Sequence, residues 1–135
     1  MKNQVLSIDK MQKLKDLGID TRRASMCWLI NRGNHSKEFE CPVNNHWRVL
    51  KRFLNPCNYK METFTLQDIL NILPFLIEKD TLLHRFFINH RSSGYELSYM
   101  EWADREKLVE FTDKDPLNAA YNMLVWIIEN GYFKN

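Results

Sequence analysis

Hydrophobic positions recur with a helical period in three places along the chain and with a two-residue period in one. Near the start, Ile8, Met11, Leu14 and Leu17 form an apolar edge. Ser7 stands where an N-cap is wanted, Leu6 and Met11 are spaced as a hydrophobic staple, and Gly18 closes the helix with Ile19 tucking back. A second helix is marked by Thr65 as N-cap, Asp68 at the capping-box position and Phe64 poised to staple onto Ile69. Leu66, Ile69, Leu70 and Leu73 are its expected buried face, and Pro74 disfavours helix at Leu73.

The third helix begins at Asp115 and Pro116, a good N-cap and first-turn residue, and stops at Gly131. Leu117, Ala120, Tyr121, Leu124, Ile127 and Ile128 make one broad stripe, with Asn118, Asn122 and Glu129 opposite. Trp126 lies roughly 160° from the stripe's centre on ideal geometry, and Val125 falls within the polar side. This helix is therefore either covered on two sides or offers an apolar ridge to a partner.

Strands are read from shorter runs. Residues 25–30 (Ser-Met-Cys-Trp-Leu-Ile) form an apolar run before the turn Asn31-Arg32-Gly33. Residues 34–46 are polar and irregular, and Pro42 argues against a central strand there. Residues 47–54 fit two patterns. A strand places Trp47, Val49 and Phe53 on one face; a helix groups Arg48, Lys51 and Arg52 opposite Trp47, Leu50 and Leu54. The strand is preferred because it can pair back on residues 25–30. Residues 81–90 and 95–102, joined by Arg91-Ser92-Ser93-Gly94, read as a hairpin. In its second arm Tyr95, Leu97 and Tyr99 alternate with Glu96 and Ser98, the signature of a half-buried strand. The charged segment 103–114 is given a helical turn of its own. The order helix, strand, strand, helix, hairpin, helix predicts an α+β fold, an antiparallel sheet of about four strands with helices mainly on one face, as a single domain over residues 1–135.

A chain of 135 residues with 44% hydrophobic and 13% aromatic content can bury a core without disulfides or structural metal. Residues 1–12 hold no continuous apolar run, and no stretch approaches the roughly 20 apolar residues of a membrane span. Cys27, Cys41 and Cys57 match no disulfide framework, so reduced thiols and a cytoplasmic location are expected. The net charge of +2 is unevenly spread: residues 1–60 carry twelve Lys and Arg against five acids, and residues 61–135 carry seven against twelve.

Three phrases carry a resemblance: 24–28 (Ala-Ser-Met-Cys-Trp), 64–70 (Phe-Thr-Leu-Gln-Asp-Ile-Leu), and 119–126 (Ala-Ala-Tyr-Asn-Met-Leu-Val-Trp) continuing to Glu129-Asn130-Gly131-Tyr132. Together they resemble a group of short uncharacterised proteins of Bacteroidales genomes and their phages or mobile elements. The likeness spans most of the chain but no catalytic motif, and residues 31–63 lie outside it. It implies a cytoplasmic accessory protein and brings no activity with it.

Candidate chemistry is sparse. Cys27, His35, Cys41, His46 and Cys57 are potential ligands, but none forms the tight pair of a structural zinc site, so no metal and no cofactor are expected. His84 and His90 share strand parity, yet six residues separate them by roughly 20 Å, too far to serve one reacting centre. Asp80 or Glu101 can approach His84 across the hairpin. No P-loop, nucleophile elbow, HExxH or dinucleotide fingerprint is present. A nucleic-acid surface would use Trp47, Arg48, Lys51, Arg52, Phe53 and Lys60, reinforced by Arg22 and Arg23, as cations interleaved with rings. A protein partner or a second copy would use Val125, Trp126, Tyr132 and Phe133, since Trp and Tyr are enriched at interface centres. The ranking is interaction module first, nucleic-acid binder second, enzyme third.

Overall fold

The computed structural model describes residues 4–30, 47–51 and 60–133, which cluster into two compact units, Met1–Asp68 and Ile69–Asn135. Both units combine helix with antiparallel sheet, so the α+β class holds. The strands, however, divide between a three-stranded and a four-stranded sheet.

In the first unit, α1 (Ile8–Asp16) starts where Ser7 accepts a hydrogen bond from the Lys10 N–H and ends in a Schellman motif. There Ile19 N–H reaches the Leu14 carbonyl, Gly18 N–H reaches that of Lys15, and Gly18 takes the left-handed φ of 95°. The staple residues Leu6 and Met11 are buried, as are Leu14 and Ile19. The sheet has β1 (Met26–Ile30) at its centre, with β2 (Trp47–Lys51) and β3 (Lys60–Thr63) antiparallel on either side. The preference for strand at 47–54 holds over β2, which does pair back on β1. On one face of β1, Met26 and Trp28 pack with Val5, Ile8 and Met61. The Leu6 carbonyl accepts from both the Trp28 indole and the Thr63 hydroxyl, at 2.8 and 2.7 Å.

The helix α2 (Leu66–Ile72) has the expected reciprocal cap. Thr65 N–H donates to the Asp68 carboxylate at 2.9 Å, and Asp68 N–H to the Thr65 hydroxyl at 3.1 Å. The same carboxylate accepts from the Ser25 N–H and hydroxyl, tying the cap to the approach to β1. Its expected buried face needs correction: Phe64, Ile69 and Leu73 are buried, but Leu66 and Leu70 are half-buried and Ile72 takes their place. The helix stops at Ile72, two residues before Pro74.

The second unit holds β4 (Leu76–Lys79), β5 (Leu82–Arg91), β6 (Gly94–Glu101) and β7 (Lys107–Asp113) in that order, followed by α3 (Pro116–Glu129). The expected hairpin is β5–β6, closed at Arg91↔Gly94. The segment 103–114 is corrected: it holds strand β7 and not a helical turn. Val109 and Phe111 alternate there with the exposed Glu110 and Thr112, and a bulge interrupts the register opposite Tyr99 and Met100. β6 is also not half-buried. Glu96, Leu97, Ser98 and Tyr99 are all buried, so both faces of this central strand are covered.

Register defines the two faces. Ile77, His84, Phe86, Leu97, Tyr99, Val109, Phe111 and Asp113 share one, and α3 packs against β6 and β7. Asp113 marks that face as the helix side, because its carboxylate accepts from Asp115 N–H and from the Asn118 amide on α3. The Tyr99 hydroxyl donates to the Pro74 carbonyl at 2.6 Å. Burial raises the Tyr99 phenol above its ordinary value of 10.0, and raises Tyr121 in the same direction, with Glu129 adding to it. A raised phenol binds its proton more tightly when folded, so its contribution is complete below pH 10 and is lost as pH climbs beyond it. Urea midpoints should therefore fall above pH 10. Tyr99→Phe should lose about 1 kcal/mol at neutral pH with the hydrogen bond and show a shallower alkaline decline. An identical decline in both proteins would contradict this.

No helix among the described residues is long and apolar enough to cross a membrane.

Candidate functional site

The face of the four-stranded sheet opposite α3 carries Leu76, Glu78, Leu83, Arg85, Phe87, Glu96, Ser98 and Met100. Its chemistry divides along the strands. Towards β7, Glu96 is 3% exposed and satisfied by two cations, Arg91 at 3.0 Å and Lys107 at 2.6 Å. Lys107 also holds Glu110 at 2.8 Å. Glu110 and then Glu96 raise the Lys107 ammonium above its ordinary value, and Lys107 lowers Glu110. Such a closed charge network fixes strand register and leaves no group poised for proton transfer.

Towards β4 the surface is apolar and open. Phe75 is 61% exposed, Trp102 64%, Leu83 56% and Leu76 47%. Arg85 links them: its guanidinium carbon lies 5.0 Å from the centre of the Phe75 ring and 5.2 Å from that of Trp102. Trp102 stacks in turn on Phe87, with centroids 6.0 Å apart and planes 11° from parallel. Each contact of the cation with an exposed ring favours this arrangement by about 0.5–1 kcal/mol while leaving both rings open to solvent.

Two buried polar atoms have no hydrogen-bond partner among the described residues, His84 Nδ1 and Ser98 Oγ. They belong to opposite faces and cannot act on one centre. Glu101 does lie opposite His84, as expected, but its carboxylate accepts from the Ala103 and Asp104 N–H groups and so caps the β6–β7 turn. In the first unit a cavity of about 260 Å³ is lined by Met11, Lys15, Thr21, Met61 and Glu62. Its charged lining residues are Lys15 and Glu62.

Val125, Trp126, Tyr132 and Phe133 are all half-buried, and Tyr132 stacks on Trp126 at 5.6 Å. This contact comes from the helix stop: Tyr132 N–H reaches the Ile127 carbonyl and Gly131 N–H that of Ile128, folding the chain back on itself. Burial on α3 also extends beyond the expected stripe to Ala119 and Met123, so Trp126 borders the buried arc. Trp47, Arg48 and Lys51 lie on β2, where Arg48 and Lys51 occupy register positions of opposite parity; Arg52 lies outside the described residues. Cys27 is buried, and His35, Cys41, His46 and Cys57 lie outside the described residues. Among the described residues no group of three or more His, Cys, Asp or Glu is placed to hold a metal ion.

The surface around Arg85 was missed in the sequence. Phe75 and Trp102 sit in turns 27 residues apart, and only the β4–β5–β6 register brings them to one arginine. No family model, curated protein or solved structure matches the chain.

Proposed function

We propose that this chain is a non-enzymatic, cytoplasmic protein-interaction module, an accessory protein of the kind its resemblance to mobile-element proteins implies. Its contact surface is the patch of Phe75, Leu76, Leu83 and Trp102 around Arg85. The observation that supports this reading is the exposure of two large rings that share one cation. An apolar patch open to water is costly unless a partner covers it, and Trp, Phe and Arg together make the usual anchor of an interface. A protein partner suits the patch better than nucleic acid. Its own cation, Arg85, is already sandwiched between rings, and in the neighbouring strand and turn Lys79 and Arg105 are outnumbered by Glu78, Asp104 and Glu106, so no excess of positive charge gathers there.

Affinity capture from the native host tests the proposal. The unaltered chain should retain a protein, and Trp102→Ala should weaken it by about 2 kcal/mol or more, roughly thirtyfold. Retention of a nucleic acid that salt removes, with no dependence on Trp102, would replace this reading with the basic-segment alternative.

A further inference from the structure

The four-stranded sheet has one guarded edge and one open edge. β7 carries a bulge and the charged residues Lys107, Glu110 and Asp113, devices that keep an edge from pairing with another chain. β5 is different. Its pairing with β4 ends at Leu76↔Arg85, after which the Phe86 N–H finds the Phe75 carbonyl at 3.1 Å. In an antiparallel strand both backbone groups of a residue point to the same side, and the side alternates along the chain. Ile88 and His90 therefore direct their N–H and C=O groups to the side Phe86 uses. Among the described residues no strand pairs with them there. Residues 88–91 are all exposed, Ile88 at 45%, and the segment holds no proline, lysine or bulge.

We propose that a second copy of this chain occupies that edge, β5 pairing antiparallel with its counterpart about a twofold axis at Asn89. The inference rests on reading this sheet as the interaction surface, and it names one partner. The outward groups set the register: Ile88 exchanges both hydrogen bonds with the partner's His90, and His90 does so with the partner's Ile88. Asn89 then faces the partner's Asn89 at a non-hydrogen-bonded position, and Phe87 faces the partner's Arg91. No like charges stand opposite one another, and the arginine meets an aromatic ring. That arginine keeps its own protomer's Glu96 at 3.0 Å, so it lies over the partner's Phe87 with its side-chain stem. Centring the pair on His90 instead would set two imidazoles on the axis and leave a single hydrogen-bonded pair. The contact is isologous and closes at the dimer.

Molar mass in solution, measured from dilute protein upward, should rise from 16.3 kDa to twice that value. Ile88→Lys should remain monomeric with an unchanged melting temperature, because an exposed edge lysine opposes pairing without disturbing the core. On mild oxidation Asn89→Cys should cross-link to a dimer, since facing non-hydrogen-bonded positions approach disulfide spacing. Ile88→Cys, which faces His90, should not, and the unsubstituted chain controls for the native thiols. A monomer at every concentration, a dimer that survives Ile88→Lys, or no cross-link at Asn89 overturns the proposal. If Trp102-dependent capture of another protein persists in that event, only the self-pairing falls and the wider reading stands.

Discussion

Replacing Phe64 with alanine is expected to cost about 3–5 kcal/mol, the range for deleting a large ring from a packed core. Phe64 is 0% exposed, and its backbone ties the start of the chain to the approach to α2. Its carbonyl accepts from Leu6 N–H at 3.0 Å, and its own N–H points at the Met11 sulfur at 3.4 Å. The cavity would open near Leu6 and Met11, which are held as the staple of α1 and cannot collapse into it freely. Urea unfolding measures the loss. Leu70→Ala, at a half-buried position, should cost less, below about 2 kcal/mol. A Phe64→Ala protein as stable as the parent would contradict the assignment of this core.

The second large effect is expected from Gly94→Ala. Gly94 has a φ of 134°, and a Cβ there would lie 2.6 Å from the Asp113 carbonyl oxygen and 2.9 Å from its carbon. Those are backbone atoms of β7, which can yield only by breaking the β6–β7 ladder. Strained φ alone costs of order 1–3 kcal/mol, and the steric conflict places this substitution at or above the top of that range. The damage passes further, because Asp113 also holds the start of α3 through Asp115 and Asn118. Hydrogen exchange should show β7 and the first turn of α3 losing protection together. Protection unchanged in both would show that the backbone can give way more easily than this contact implies.

How far the fold was legible depended on how local its signals are. α1, α2 and α3 were readable because caps, staples and glycine stops lie within a few residues of one another. The β5–β6 hairpin was readable from its Ser92-Ser93-Gly94 turn and alternating arm. β4 was not, because its connection to β5 is Asp80-Thr81, with φ values of 52° and 66°. That geometry suits a primed hairpin turn, but the residue pair lacks the glycine that advertises one. β3 is four residues long, Lys-Met-Glu-Thr, too short for an alternation to register. β7 was obscured by charge: Lys107 and Glu110 look like a solvated helix face until register shows them neutralising each other and Glu96.

The candidate site shows the same limit more sharply. The sequence drew attention to Trp126 because helical geometry set it off the apolar stripe. The ring instead rests on Tyr132, a contact produced by the helix stop, and lies at the margin of a wider buried arc. Trp102 drew no attention, since in the sequence it closes the hairpin's second arm, 95–102, just before a charged segment. Its exposure and its contacts with Arg85 and Phe87 depend on pairing across three strands.

Side-by-side capture with Trp102→Ala and Trp126→Ala, each with its melting temperature, decides whether the partner docks at Arg85. Trp102→Ala should melt like the parent and lose the partner, while Trp126→Ala should keep the partner at whatever stability it retains. A Trp102→Ala protein that captures the partner as the parent does, with Trp126→Ala folded and unable to capture it, would move the interface to α3.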